Sequence, residues 1–423
     1  MEELSGSKKR IAIIILLAVI LGTIGLVWRS VQGIWNHPAT VNKLAGSLSQ
    51  ICTEGANSRD YEKRVALLTK CIEDEDFVPN QESSLYFFKR GFGYESLKKY
   101  DQALADYQRA IELKPSYATA YYNSGNIYLG QKKYEDALTA YGKAIEINPK
   151  DYLFFFNRGF TYRQMKKYEE AIKDYTQSLN LNIKYPNSYL ERGYCYNRLK
   201  KHFLALGDYN NAIHYNPKYD RAYNDRGYLY FRAGKYDLAL ADYNKAIEIN
   251  PSNSDPLENR GFLYNKTGRH KLALNDYLAA RELKPNNARC VYSIGYTHWK
   301  LGHIDEAVKC YKEAMKMDPG FGWPYYNLAI IYYSSNDPQY FHPEEAIELL
   351  LKAMEIDGAD ILAYNESLAA VYAKVGDFQK ALQYQQVAVD KARGMKWEKI
   401  AKKDQQRLDA YKEGKLPPLD MEE

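Results

Sequence analysis

Residues Ala222–Pro251, AYNDRGYLYFRAGKYDLALADYNKAIEINP, decide the fold. Apolar and small side chains return at three- and four-residue spacing, first at Tyr223, Gly227 and Tyr230, then at Ala239, Tyr243 and Ala246. That is the period of two amphipathic helices. Gly234 interrupts the first run and Pro251 follows the second, as helix ends require. The stretch is a helical hairpin, and it recurs at intervals of 34 residues. Gly91, Gly125, Gly159, Gly193, Gly227, Gly261 and Gly295 keep that step, as do Ala103, Ala137, Ala171, Ala205, Ala239, Ala273 and Ala307. Pro115, Pro149, Pro217, Pro251, Pro285 and Pro319 keep it too, with Ile183 once in the proline's place. One hairpin cannot bury its apolar face, but stacked hairpins share a core. The chain is therefore an all-α solenoid of stacked antiparallel helix pairs.

The period, Gly-x-x-Tyr in the first helix, Ala-x-x-x-Tyr in the second and the closing Pro resemble the tetratricopeptide repeat family over roughly residues 84–392. The resemblance implies a right-handed superhelix of about eight to nine repeats, with the first helices lining a concave groove that binds proteins. The small Gly and Ala positions let helices approach while Tyr and Phe fill the gaps, so 41 tyrosines need no catalytic explanation.

The repeat overrides the two to four domains that 423 residues would otherwise suggest. With 58 basic and 53 acidic residues the net charge is +5, a near-even balance that argues against a nucleic-acid partner. Residues 11–28, IAIIILLAVILGTIGLVW, form the one strongly apolar run. As a helix it covers roughly 27 Å, enough to span a bilayer core. Lys8, Lys9 and Arg10 precede it, Trp28 and Arg29 close it, and Arg29–His37 offers no small-x-small cleavage site. We read an uncleaved transmembrane helix, with residues 1–10 cytoplasmic and the repeats outside the cytoplasm, which is the periplasm if the cell is Gram-negative.

Residues 29–60 read as a linker, with a helix from Pro38 to Gln50 and a loop over Glu54–Ser58. Residues 61–83 form an N-terminal cap in which Tyr61–Glu73 resembles the second helix of a repeat whose first helix has degenerated. The array occupies 84–392. Its eighth repeat carries an insertion near 334–343, SSNDPQYFHP, because Tyr332 to Ala346 is 14 residues where Tyr230 to Ala239 is nine. A ninth hairpin runs from Leu362 to Val389. Residues 393–423 supply a polar cap helix, Trp397–Lys412, and a disordered tail from Gly414.

The repeats also carry a charge pattern. Arg90, Arg158, Arg192, Arg226 and Arg260 stand just before the repeat Gly, and Asp106, Asp174, Asp208, Asp242 and Asp276 follow sixteen residues after each Arg. The two in-phase repeats without the Arg, at Ser124 and Ile294, also lack the Asp, having Ala140 and Cys310. Joint loss points to a contact, a structural ion pair across each hairpin.

The groove positions of the resemblance fall on aromatic rings edged by bases. They are Phe92, Phe156, Phe160, Arg163, Tyr194 and Arg198, then Tyr228, Phe231, Arg232, Phe262 and Lys266, then Tyr292, Tyr296, Trp299 and Lys300. Rings supply contact area at low entropy cost and bases hold carboxylates, so the implied ligand is an extended peptide or a partner protein. Such a ladder also stacks on sugars, which keeps an envelope glycan open as a ligand.

No phosphate loop, His-Glu-x-x-His or Cys-x-x-Cys is present, and the seven histidines are scattered. We expect no enzyme, no metal site and no cofactor. Cys195, Cys290 and Cys310 read as small core residues. Cys52 and Cys71 lie outside the regular array. A strict helical hairpin turning near Ala56 would hold them too far apart for a bridge, whereas an extended Cys52–Asp60 loop lets them meet. Exported bacterial tetratricopeptide proteins carry a similar pair before the first full repeat, a resemblance that implies a Cys52–Cys71 disulfide in an oxidising compartment. The functional expectation is a non-catalytic, membrane-anchored scaffold aiding assembly of an envelope complex. Its alternatives are a glycan-binding module and a cytoplasmic-facing membrane adaptor.

Overall fold

Every regular hairpin is punctuated by the same turn. A 13-residue helix such as Ala118–Gly130 leads into a 14-residue partner, Tyr134–Ile147. Between them the chain enters the left-handed region, at Lys98, Lys132, Lys166 and Lys200 early in the array and at Gly234, Gly268 and Gly302 later. The Lys133 N–H donates to the Tyr128 carbonyl and the Lys132 N–H to the Leu129 carbonyl, each at 2.9 Å. These two bonds make a Schellman motif, which satisfies the orphan carbonyls of the first helix. Pro149 and Pro251 end the second helices by pushing Asn148 and Asn250 out of the helical region.

The computed structural model describes residues 38–359 and 361–417, and among these are 21 helices and no strand. No described helix is long and apolar enough to cross a membrane. The segment 11–28, expected to do so, lies outside the described residues, as do residues 1–10, 29–37 and the last six of the tail.

Two compact units follow one another along the chain. The first, ending at Pro217, contains five hairpins, from Pro38–Asn57 with Tyr61–Ile72 to Pro186–Arg198 with His202–Tyr215. The second, starting at Lys218, contains five more, from Asp220–Arg232 with Tyr236–Ile249 to Leu362–Lys374 with Phe378–Gly394, and then the single helix Glu398–Lys412.

Inside each hairpin the repeat Gly meets the repeat Tyr. A Cβ on Gly125 would lie 2.7 Å from the Tyr141 ring, and one on Gly227 would lie 2.9 Å from the Tyr243 ring. Tyr107, Tyr141, Tyr175, Tyr209, Tyr243 and Tyr311 are among the largest fully buried side chains. Only glycine lets the first helix close onto these rings, so the Gly–Tyr pair sets the helix spacing.

The structure corrects the cap. Its first helix has not degenerated, since Pro38–Asn57 runs through the stretch read as a linker with an Glu54–Ser58 loop and pairs with Tyr61–Ile72. Gly55, which looks like a loop residue, is instead a contact point: its Cβ would stand 3.0 Å from Leu67 Cβ and Leu68 Cγ. Cys52 and Cys71 lie three residues further from the turn on each helix, with Cα atoms 5.2 Å apart and sulfurs bonded at 2.01 Å. The premise that a helical hairpin separates them was mistaken, because the turn falls at Ser58–Asp60 rather than at Ala56.

The insertion occupies residues 335–342, between Gly322–Ser334 and Pro343–Asp357. The His342 N–H donates to the Tyr332 carbonyl at 2.9 Å, the bond that Lys235 makes to Tyr230 in a regular turn. The five extra residues are looped out of a turn whose closure is kept.

Candidate functional site

The five Arg–Asp sets sit inside the hairpins as bidentate pairs. Nε of Arg90, Arg158, Arg192, Arg226 and Arg260 donates to one carboxylate oxygen and Nη2 to the other, all at 2.7–2.8 Å. Asp106, Asp174, Asp208, Asp242 and Asp276 are buried. Hydrogen bonds donated to Asp174, Asp242 and Asp276 hold Arg158, Arg226 and Arg260 protonated above the ordinary guanidinium range. The same arginines touch more than the aspartates. Arg192 lies over Tyr189 and Tyr196, and its Nη1 donates to Thr176 Oγ1 on the preceding second helix at 3.0 Å. Arg260 reaches Asn244 in the same way. Each such arginine thereby ties three helices.

A second polar ladder joins successive first helices, and the sequence reading missed it. Asn157 donates to Tyr122 Oη at 2.6 Å, Asn259 to Asn224 Oδ1 at 2.9 Å and Asn327 to Tyr292 Oη at 2.8 Å. Each of these asparagines stands two residues before its repeat Gly or the Ala329 that replaces it, so the 34-residue comparison held the signal.

This ladder reassigns part of the expected groove. Tyr292 packs between Tyr311 and Phe321, with ring centroids 5.8 and 5.2 Å away, while its hydroxyl accepts from Asn327. Phe156 packs likewise between Tyr175 and Tyr185 at 5.7 and 5.2 Å. Arg163 is not a free base: its guanidinium lies 4.5 Å from the Phe160 ring and 5.1 Å from the Tyr194 ring, with Nε 3.1 Å from the buried Glu191 carboxylate. These residues hold hairpins together. Arg198 is exposed and stacks over Tyr168 at 5.9 Å.

What stays open differs between the units. In the first unit Phe92 is exposed and edge-on to Tyr61, beside a cleft of about 370 Å³ lined by Glu95, Ser96, Tyr100, Asn126 and Gln131. In the second unit the open face is longer. Phe231 meets Phe262 edge-on at 5.4 Å, and Phe262 is 56% exposed. Tyr228 is exposed, and its hydroxyl accepts from Arg232 Nη1 at 3.2 Å. Tyr296 and Trp299 meet at 6.1 Å, with Lys300 Nζ 5.9 and 5.7 Å from their rings. Lys266 projects exposed from the helix that carries Phe262.

The hairpin geometry, the Gly–Tyr closure and the 34-residue step find their counterpart in known families. Models described as tetratricopeptide repeat match residues 118–151, 152–185, 220–253, 242–275 and 288–321, and one described as TPR repeat matches 94–132. These hairpins are tetratricopeptide repeats. No curated protein matches the chain. Among solved structures, a chain of the APC/C Cut9–Hcn1 heterotetramer is similar over 74% of this chain and 63% of its own, at 15% identity and a TM-score of 0.50. A tetratricopeptide repeat protein from Parabacteroides merdae is similar over 64% of this chain and 99% of its own, at 21% identity and a TM-score of 0.48. YrrB, described as having an unusual peptide-binding site, is similar over 46% of this chain and 97% of its own, at 25% identity and a TM-score of 0.39. The first of these likenesses, at a TM-score of 0.50, speaks to the fold.

Within the tetratricopeptide array the remaining cysteines are inert. Cys195, Cys290 and Cys310 are buried and unbridged, and burial pushes the Cys195 and Cys290 thiols up to about 12. Among the described residues no three His, Cys, Asp or Glu side chains converge as a metal site would need.

Proposed function

We propose that the protein is a non-catalytic scaffold that binds an extended segment of a partner protein on the first-helix face of its second unit. The observation that carries this is the row Tyr228, Phe231, Phe262, Tyr296 and Trp299, edged by Arg232, Lys266 and Lys300. Rigid rings left part-exposed beside bases give an anchor for apolar side chains and a counter-charge for carboxylates. Nothing in that arrangement supplies a nucleophile and base at hydrogen-bond distance, so binding rather than turnover is the activity it supports. A photo-crosslinking residue at Lys266 should capture the partner, and Phe262→Ala with Trp299→Ala should lower capture at least about tenfold. Undiminished capture by that variant would sink the proposal.

The setting we propose is a membrane tether through residues 11–28, with the array outside the cytoplasm. The basic cluster Lys8–Arg10 before the apolar run and the Cys52–Cys71 bridge support it. Tethering would raise the local concentration of whatever the array holds, suiting assembly of an envelope complex. Protease digestion of intact cells, before and after the outer barrier is opened, tests the placement. Protection that persists until the inner membrane is dissolved would reverse it.

A further inference from the structure

The near-even charge of the whole chain conceals one concentrated site. Between Lys391 and Lys403, KARGMKWEKIAKK, six bases meet a single acid, Glu398. Their net +5 equals the excess of all 423 residues, so the rest of the chain is neutral. The segment comprises the end of the helix Phe378–Gly394, the turn at Met395–Trp397 and the start of the helix Glu398–Lys412.

On several other helices a surface base pairs with an acid three residues further on. Arg109 pairs with Glu112, Lys143 with Glu146, Lys245 with Glu248 and Lys352 with Glu355, all at 2.7–2.8 Å. Here that pairing is missing. Arg393 donates to the neutral Gln405 at 2.8 Å, and among the described residues Lys396, Lys399 and Lys402 have no carboxylate within ion-pair distance. An open cleft of about 520 Å³ lies between the two helices, lined by Arg393, Lys396, Lys402, Glu398, Gln405 and Gln406.

Apolar groups are left out at the same place. The last helix buries Ala401, Asp404, Leu408 and Tyr411, while Met395, Trp397 and Ile400 are 45%, 47% and 36% exposed. An indole, a thioether and a branched aliphatic beside unpaired lysines is the composition of an interfacial membrane contact, where rings sit at headgroup depth and lysines reach the phosphates. A nucleic-acid backbone would satisfy the bases but leave Met395 and Ile400 in water. We propose that this C-terminal tip docks on the surface of a bilayer containing anionic phospholipid, with Arg393, Lys396 and Lys402 around a headgroup phosphate and Met395, Trp397 and Ile400 among the upper acyl carbons. The contact is peripheral and independent of the partner-binding face.

The test uses the full chain with an environment-sensitive fluorophore at Met395→Cys, since the native cysteines are bridged or buried. Label emission, rather than bulk association, separates tip contact from any attachment through residues 11–28. Vesicles of phosphatidylcholine with about one third phosphatidylglycerol should shift the emission to the blue, and added salt should reverse the shift. In Lys396→Glu/Lys399→Glu/Lys402→Glu the lipid concentration at half-shift should rise at least about tenfold, with helix content unchanged. An equal shift on pure phosphatidylcholine, no shift on the anionic vesicles, or an equal shift with a short oligonucleotide would overturn the proposal.

Discussion

Replacing Arg158 by Ser breaks a repeat ion pair from its exposed side. Two hydrogen bonds to Asp174, at 2.7 and 2.8 Å, are lost. The Asp174 side chain is 8% exposed and has no second cation among the described residues, so its carboxylate stays desolvated without a partner. Stranding a buried charge costs about 3 kcal/mol or more. Asp174→Ala is milder, about 2 kcal/mol, because the Arg158 side chain is 24% exposed and its guanidinium reaches water. The double variant Arg158→Ser/Asp174→Ala recreates the Ser124 and Ala140 combination that a neighbouring repeat already carries. It strands nothing and should cost about 2 kcal/mol, mostly lost packing, leaving a coupling of about 3 kcal/mol. Stacked repeats need not unfold as one unit, so the assay is hydrogen exchange across Tyr152–Gln164 and Tyr168–Leu181 together with the urea midpoint. Single-variant costs that sum to the double cost within about 0.5 kcal/mol would refute the reasoning.

The remaining expectations concern other joints of the array. Burial and a hydrogen bond with the fully buried Asp404 push the Glu366 carboxyl up to about 7, against the pull of Arg407 and Lys403. Its folded value exceeds the unfolded one, so this contribution is complete below the ordinary glutamate range and disappears as pH rises through about 7. The helix Glu398–Lys412 should therefore be more readily cut by protease at pH 8 than at pH 5, with at most about 3 kcal/mol involved, and Glu366→Gln should flatten the difference. A dependence that persists in that variant argues against the assignment. Gly125→Ala drives a methyl to 2.7 Å from the buried Tyr141 ring and should cost about 1–3 kcal/mol in denaturant unfolding. Gly142→Ala, with no neighbour within 4 Å in mid-helix, should instead gain up to about 1 kcal/mol. At the turn, Lys132 holds φ at 61° where the later repeats have glycine, so Lys132→Gly should raise stability by about 1 kcal/mol; a loss measured by thermal melting would contradict this.

Much of this molecule is written locally. The 34-residue period fixes the hairpin, and the residues that close it, Gly125 with Tyr141 or Arg158 with Asp174, lie sixteen apart within one repeat. The partners are therefore legible from the repeats alone, because joint loss at Ser124 and Ala140 reflects the cost of an unpaired buried charge. The period also placed the loop before His342 and the closing Pro positions. Other features depend on what the next element brings. Phe156 and Tyr292 looked like groove rings, and only the arrival of Tyr185 and of Phe321 with Asn327 from the following hairpin turned them into packing. Arg163 looked like a free base until Glu191, Phe160 and Tyr194 enclosed it. Gly55 read as a loop residue because a glycine's use, close helix approach, is invisible without the partner helix that carries Leu68 and Cys71. Periodicity in one chain determines which helix face turns inward; whether a ring on the other face is covered is decided by side chains packed against it from the neighbouring hairpin.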